Sequence, residues 1–177
     1  KPPALLLWGV PVPGGLRELE LAQKLIAVSD ALGEDKQRRT EPDVVLDFGA
    51  SGLAVVEVKY DSRNESRPAA NWHRYLPCRS AFKDSNKAEE SRLYELVRNW
   101  RIAHDLAGER PFVVANLARD DTFATTPRLT DFEASLATSS KRRFLRLPWC
   151  KFLWAAKRAV GGFPKWMDDY LVERELP

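Results

Sequence analysis

The chain has 177 residues, 44% hydrophobic and 30% charged, with a formal net charge of +3. That size and balance predict one ordinary globular domain with a real core. No apolar run approaches a bilayer span, which excludes a transmembrane reading, and Leu5-Leu6-Leu7-Trp8, set among prolines, is unlike a secretory signal.

A start at Lys1 fits a fragment or a processed form, and residues 1–15 read as an irregular N-terminal segment. Leu21, Leu25, Val28 and Leu32 recur at helical spacing, so a helix is expected over 16–32 with Gly33 as its stop. Residues 34–41 are polar and make a poor strand. Two β-branched runs follow, Asp43–Phe48 and Leu53–Tyr60, around a Gly-Ala-Ser-Gly turn. Residues 61–87 form a long polar connection rich in cations and aromatics. A long helix is expected over 89–107, ended by Gly108, then a buried strand over 111–117. Thr130-Asp-Phe-Glu133 matches a capping box opening a short helix. A strand over 144–147, a helix over 149–160 stopped by Gly161-Gly162, and a further helix over 165–173 complete the chain. This order predicts an α/β fold, a mixed sheet with helices on both faces.

The hairpin carries the chemistry. Glu57 and Lys59 alternate onto one face of their strand. A four-residue turn would put Asp43 on the other face. A three-residue turn over 49–51, with Gly52 in a bulge, sets Phe48 opposite Gly52 and Asp43 opposite Glu57, and the glycines favour this register. Asp43 and Glu57 then suit Mg²⁺, which is held by one or two carboxylates and keeps several waters. Mn²⁺ is an expected substitute, and the Val58 carbonyl is a further candidate ligand. Lys59 supplies a point charge to orient water or steady a phosphate. Asp47 shares the Asp43 face but reads as a turn residue.

Pro42-Asp43 followed by Glu57-Val58-Lys59 resembles the signature of the PD-(D/E)xK nuclease superfamily, the restriction-endonuclease-like fold. The resemblance covers about residues 16–117, with 118–177 as a basic C-terminal extension. It implies Asp43 and Glu57 as metal ligands, Lys59 as the catalytic lysine, and a glutamate from the first helix. Glu18, on the Leu21/Leu25 side, is preferred over Glu20. The shared core also has a strand between that helix and the Pro-Asp strand. Here either 34–41 forms a short edge or 144–147 completes the sheet.

From Lys141 to Trp166 there are eight basic residues (Lys141, Arg142, Arg143, Arg146, Lys151, Lys157, Arg158, Lys165) and no acidic one. Such a run is either a polyanion footprint or a solvated face balanced in space. Candidate nucleic-acid contacts are Arg142, Arg143, Lys151, Lys157 and Arg158, with Arg63 in the connection and Arg98 in the long helix, beside Arg92, Tyr94 and Asn99. Each helix residue, taken alone, reads more simply as a surface salt-bridging group. Trp154, among these cations, either stacks on bases or packs under the last helix. His73 and His104 stand apart from any ligand spacing. Cys78 and Cys150 also lack metal-type spacing, so reduced thiols in a cytoplasmic setting are expected, with a disulfide as the alternative.

The expectation is a Mg²⁺-dependent nuclease acting on nucleic acid, foremost a DNA endonuclease, away from membranes and with homodimers known among its relatives. The rivals are an inactive binding module of the same fold, an RNA-processing nuclease, and a protein-interaction domain built on the basic helix.

Overall fold

The computed structural model describes residues 1–35, 41–60, 72–124 and 128–174. The N-terminal segment is ordered into a hairpin rather than irregular. Strand β1 (Ala4–Leu7) and strand β2 (Val10–Val12) pair antiparallel through a turn at Trp8-Gly9, both with positive φ. The prolines that disguise this hairpin lie in or beside its edge strand β2, where a missing N–H is tolerated. Helix α1 (Leu16–Ala31) follows and buries Leu21, Leu25 and Ser29.

Strands β3 (Val44–Asp47) and β4 (Leu53–Val58) pair antiparallel, with Val45 opposite Val55 and Asp47 opposite Leu53. A 3₁₀ turn at Gly49–Ser51 joins them, and the Phe48 N–H donates to the Gly52 carbonyl at 2.9 Å. This is the three-residue-turn register. Gly52 has φ of 126°, and a Cβ there would lie 2.5 Å from the Pro111 carbonyl oxygen, so only glycine fits.

The long helix is broken in two: α2 (Ser85–Glu90) and α3 (Tyr94–Ala107). Ser91, fully buried, donates its hydroxyl to the Ala88 carbonyl and accepts the Leu93 N–H, while Arg92 takes a φ of 56°. A serine that satisfies the local backbone this way competes with helix continuation. Strand β5 (Phe112–Ala118) runs parallel to β4, and helix α4 (Asp120–Ala124) follows it. Helix α5 (Arg128–Ser135) begins before the expected capping box; the Thr130 hydroxyl accepts from Arg146 instead. Strand β6 (Arg142–Pro148), parallel to β5, then leads into α6 (Trp149–Ala159) and α7 (Lys165–Glu173).

The sheet order is β2-β1-β3-β4-β5-β6. The strand beside β3 therefore comes from before α1, not from 34–41, of which 36–40 lie outside the described residues. Strand β6 extends the opposite edge. Leu53, Val55 and Glu57 of β4 align with Phe112, Val114 and Asn116 of β5 on the face that α3 covers. Trp100, Val97 and Ile102 fill the space between. Helix α6 contacts β5 and β6, and Ala115 and Leu117, which point away from α3, are buried outside the main core. The sheet is thus covered on both faces, unevenly. Among the described residues no helix is long and apolar enough to cross a membrane.

Candidate active site

Period-two alternation carries Glu57 and Lys59 onto the α3 face, both buried. One step past the Val44–Val56 pair, the register sets Asp43 opposite Glu57, where cross-strand Cβ atoms are about 5 Å apart. Asp43 is anchored at the strand end. Its Oδ2 accepts the Val58 N–H at 2.7 Å and its Oδ1 the Trp8 indole N–H at 3.0 Å. The Trp8 backbone N–H donates to the Asp43 carbonyl at 3.0 Å. Trp8 has a φ of 47° and is 66% exposed. A bulky residue held in the left-handed region next to a candidate ligand is the kind of strain that functional sites store.

Glu57 is held from both sides. Its Oε1 lies 2.6 Å from Lys59 Nζ, and its Oε2 accepts from Asn99 Nδ2 at 2.7 Å. Lys59 Nζ also donates to Glu95 Oε2 at 2.5 Å. Behind them Arg98 donates through Nε and Nη2 to Asn99 Oδ1, and its Nη2 stands 4.0 Å from Glu57 Oε2. The Lys59 backbone is pinned as well, its N–H to the Leu117 carbonyl and its carbonyl to the Trp149 indole.

Burial pushes the Glu57 carboxyl above its ordinary pKa; Lys59 opposes that shift, while Asp43 and Glu95 reinforce it. Burial works against the charge of Lys59, but Glu57 and Glu95 outweigh it and hold its pKa above the usual lysine range. Two carboxylates, Glu57 and Glu95, therefore hold one ammonium, with Asp43 across the strand pair from Glu57 and Arg98 behind. Hard oxygen donors with surplus negative charge at a sheet's end suit Mg²⁺. Asp43 and Glu57 would hold it. The Val58 N–H points toward β3, and in a regular strand its carbonyl lies on that same side.

Glu18 is not part of this arrangement. It sits in the first turn of α1 beside Arg17, which donates to the carbonyls of Pro2 and Asp47, at the far end of β3. Helix α1 starts there because β2 has already carried the chain back along the sheet. Glu20 is exposed on the same helix. Asp47 is a turn residue: its Oδ1 accepts the Gly49 N–H and Arg110 Nη1, both at 2.8 Å. Arg98 and Asn99 are not helix-surface groups. Both are buried, and Arg98 braces the site from within instead of reaching outward to phosphate. Arg63 lies outside the described residues.

Sequence reasoning overlooked Glu95 and Trp8. Glu95, Arg98 and Asn99 follow the i, i+3, i+4 spacing of one helix face, a polar stripe beside the apolar residues Leu96, Val97, Trp100 and Ala103. That stripe was the available signal. Trp8 had none, since its contact with Asp43 spans 35 residues.

The basic run divides in space. Arg142 donates to the Ser80 carbonyl, Arg146 forms a bidentate pair with Glu133, and Lys157 pairs with Asp168 at 2.9 Å. Arg143 and Lys151 are exposed. Trp154 is 62% exposed, with the Arg158 guanidinium 4.6 Å over its ring. It does not disappear beneath α7; with Phe163, Leu171 and Val172 it lines a cleft of about 490 Å³ between α6 and α7. The Trp149–Lys59 bond sets the start of α6 beside the acidic site, and the Tyr60 hydroxyl donates to the Arg174 carbonyl at the end of α7. Cys78 and Cys150 are separate thiols.

Comparison with protein-family models, with curated proteins and with solved structures finds no match to this chain.

Proposed function

We propose that this protein is a Mg²⁺-dependent nuclease, foremost a DNA endonuclease. The observation that carries this reading is the meeting of Asp43, Glu57 and Lys59 on one face at the end of the β3–β4 hairpin, in the register that opposes the two carboxylates. When bound, Mg²⁺ or Mn²⁺ would supply a Lewis acid and lower the pKa of a water. Asp43 and Glu57 provide its oxygen ligands. Lys59, held by both Glu57 and Glu95, would offer its ammonium to a phosphate oxygen. Asn99 and Arg98 keep the Glu57 carboxylate oriented. Attack of water on phosphorus forms a new P–O bond and breaks the bond to the leaving oxygen; the attacking water gives up a proton to solvent, and the leaving oxygen takes one up from it.

Substrate would lie across the exposed edge formed by Trp8 and the start of α6. Lys151 and the Trp154–Arg158 stack provide phosphate contacts and a stacking surface that do not select sequence, whereas Arg143, level with Ala54 across Val113, lies toward the other end of the sheet.

The test is nicking of supercoiled plasmid with Mg²⁺ or Mn²⁺, beside matched single- and double-stranded DNA and RNA. Wild type is expected to cut in a metal-dependent way, and Asp43→Asn and Glu57→Gln to lose cutting while still retarding DNA. Equal turnover by all three proteins would remove the site assignment. Binding without cutting by wild type would favour an inactive nucleic-acid-binding module, and cutting of RNA alone would favour an RNA-processing nuclease.

A further inference from the structure

A second cluster lies about 13 Å farther along α3 than Glu95. His104 Nδ1 stands 2.8 Å from Asp105 Oδ1, and Asp105 Oδ2 accepts from Arg101 Nε at 2.8 Å. The loop before α2 closes over this pair. Ser80 Oγ is 3.0 Å from His104 Nε2 and 3.3 Å from Cys78 Sγ. One donor atom each from Cys78, His104 and Asp105 lies within 4.8 Å of the other two. All three side chains are half-buried, so an ion can enter and still be partly shielded from water.

The geometry points to a Zn²⁺ site formed by the Cys78 thiolate, His104 Nδ1 and the Asp105 carboxylate, with a fourth position left for water. A mixed sulfur, nitrogen and oxygen set selects a borderline-soft ion over Mg²⁺. Zn–S and Zn–N bonds of about 2.3 and 2.0 Å need donors about 3.5 Å apart, so the His104–Asp105 pair, now at 2.8 Å, opens a little while Cys78 Sγ, within 4.8 Å, closes in. The proton count is simple. The Cys78 thiol releases one proton to solvent, and neutral His104 binds through Nδ1 while Nε2–H donates to Ser80 Oγ and fixes the tautomer. One dication, one thiolate and one carboxylate sum to neutrality, which suits a half-buried place. The ion would clamp the 75–82 loop onto α3, where Arg101 already holds the Tyr75 carbonyl and Trp100 the Ala81 carbonyl.

The experiment is titration of the reduced, metal-stripped full chain with Co²⁺. A thiolate-to-cobalt charge-transfer band that saturates at a single equivalent and is bleached by Zn²⁺ is expected. Cys78→Ser, checked for folding by circular dichroism, should lack the band; Cys150→Ser and Asp43→Asn should keep it. His104→Gln should weaken Zn²⁺ binding at least about tenfold, and Zn²⁺ should raise the Tm of wild type but not of Cys78→Ser. Absence of the band from wild type, or its survival in Cys78→Ser, would overturn the site and leave the cluster a hydrogen-bonded clamp.

Discussion

The acidic end of the hairpin and the basic C-terminal arm hold charge in opposite ways. At the hairpin end Glu57, Lys59, Arg98 and Asn99 are buried, and each has its position set by at least one other member. On the arm Lys151, Lys157, Arg158 and Trp154 face solvent; Lys157 meets Asp168 in a single screened contact and Arg158 lies over Trp154. Removing one charge from the first region leaves another stranded away from water, whereas removing one from the second leaves its neighbour to be solvated. The first holds a fixed geometry, while the second leaves its charges free to adjust, as contact with a long polyanion would require under the proposed function.

The largest expected contrast is catalytic. Glu57→Gln should lower metal-dependent cleavage by at least about 100-fold, the scale of losing one electrostatic element of a reaction site. Lys151→Ala should leave the rate at saturating substrate unchanged. Single-turnover nicking rates separate the two, and equal losses would erase the distinction between the regions.

The next contrast is in stability. Arg98→Leu strips the brace from Asn99 and Glu57 and should cost about 3 kcal/mol in urea unfolding. Arg146→Ala, which breaks the partly exposed pair with Glu133, should cost less than about 1 kcal/mol. A small effect at Arg98 would mean that the site relaxes as easily as the arm.

A third test uses pH. Because the folded state holds the Glu57 pKa above its ordinary value, the carboxyl keeps its proton to higher pH than in the unfolded chain. Stability contributed by that proton is full below the unfolded pKa and is lost as pH rises through the folded one. Metal affinity runs the other way. In calorimetric titrations Mn²⁺ binding should begin to weaken above the usual carboxylate range as pH falls, by about tenfold per unit below the folded pKa. A profile that weakens only where an ordinary carboxylate titrates would contradict the burial argument.

The smallest effects belong to the arm. Arg158→Ala and Lys151→Ala should each reduce the slope of log binding constant against log salt by about one for DNA, evenly across sequences. No change of slope in either variant would place the polyanion elsewhere.

Much of the hairpin was legible beforehand, because alternation and turn chemistry are local. The glycines around Ala50 and Ser51 set the loop length, and loop length decides which face Asp43 joins. The break between α2 and α3 was hidden because Ser91 and Arg92 do not forbid a helix; it is the tertiary burial of Ser91 that settles their conformation. The N-terminal hairpin was obscured by prolines that an edge strand tolerates. The Cys78–His104–Asp105 cluster has no sequence spacing to reveal it, since its members meet only when the loop folds onto α3.

By itself, then, the amino-acid order determined the α/β character, the hairpin register and the side on which Asp43, Glu57 and Lys59 point, since each follows from periodicities of a few residues. Only the tertiary structure decided that β1 lies beside β3, that Glu18 is at the wrong end, and that Glu95, Asn99 and Trp8 complete the site. Those outcomes depend on which distant segments bury one another, and burial is a property of the whole fold.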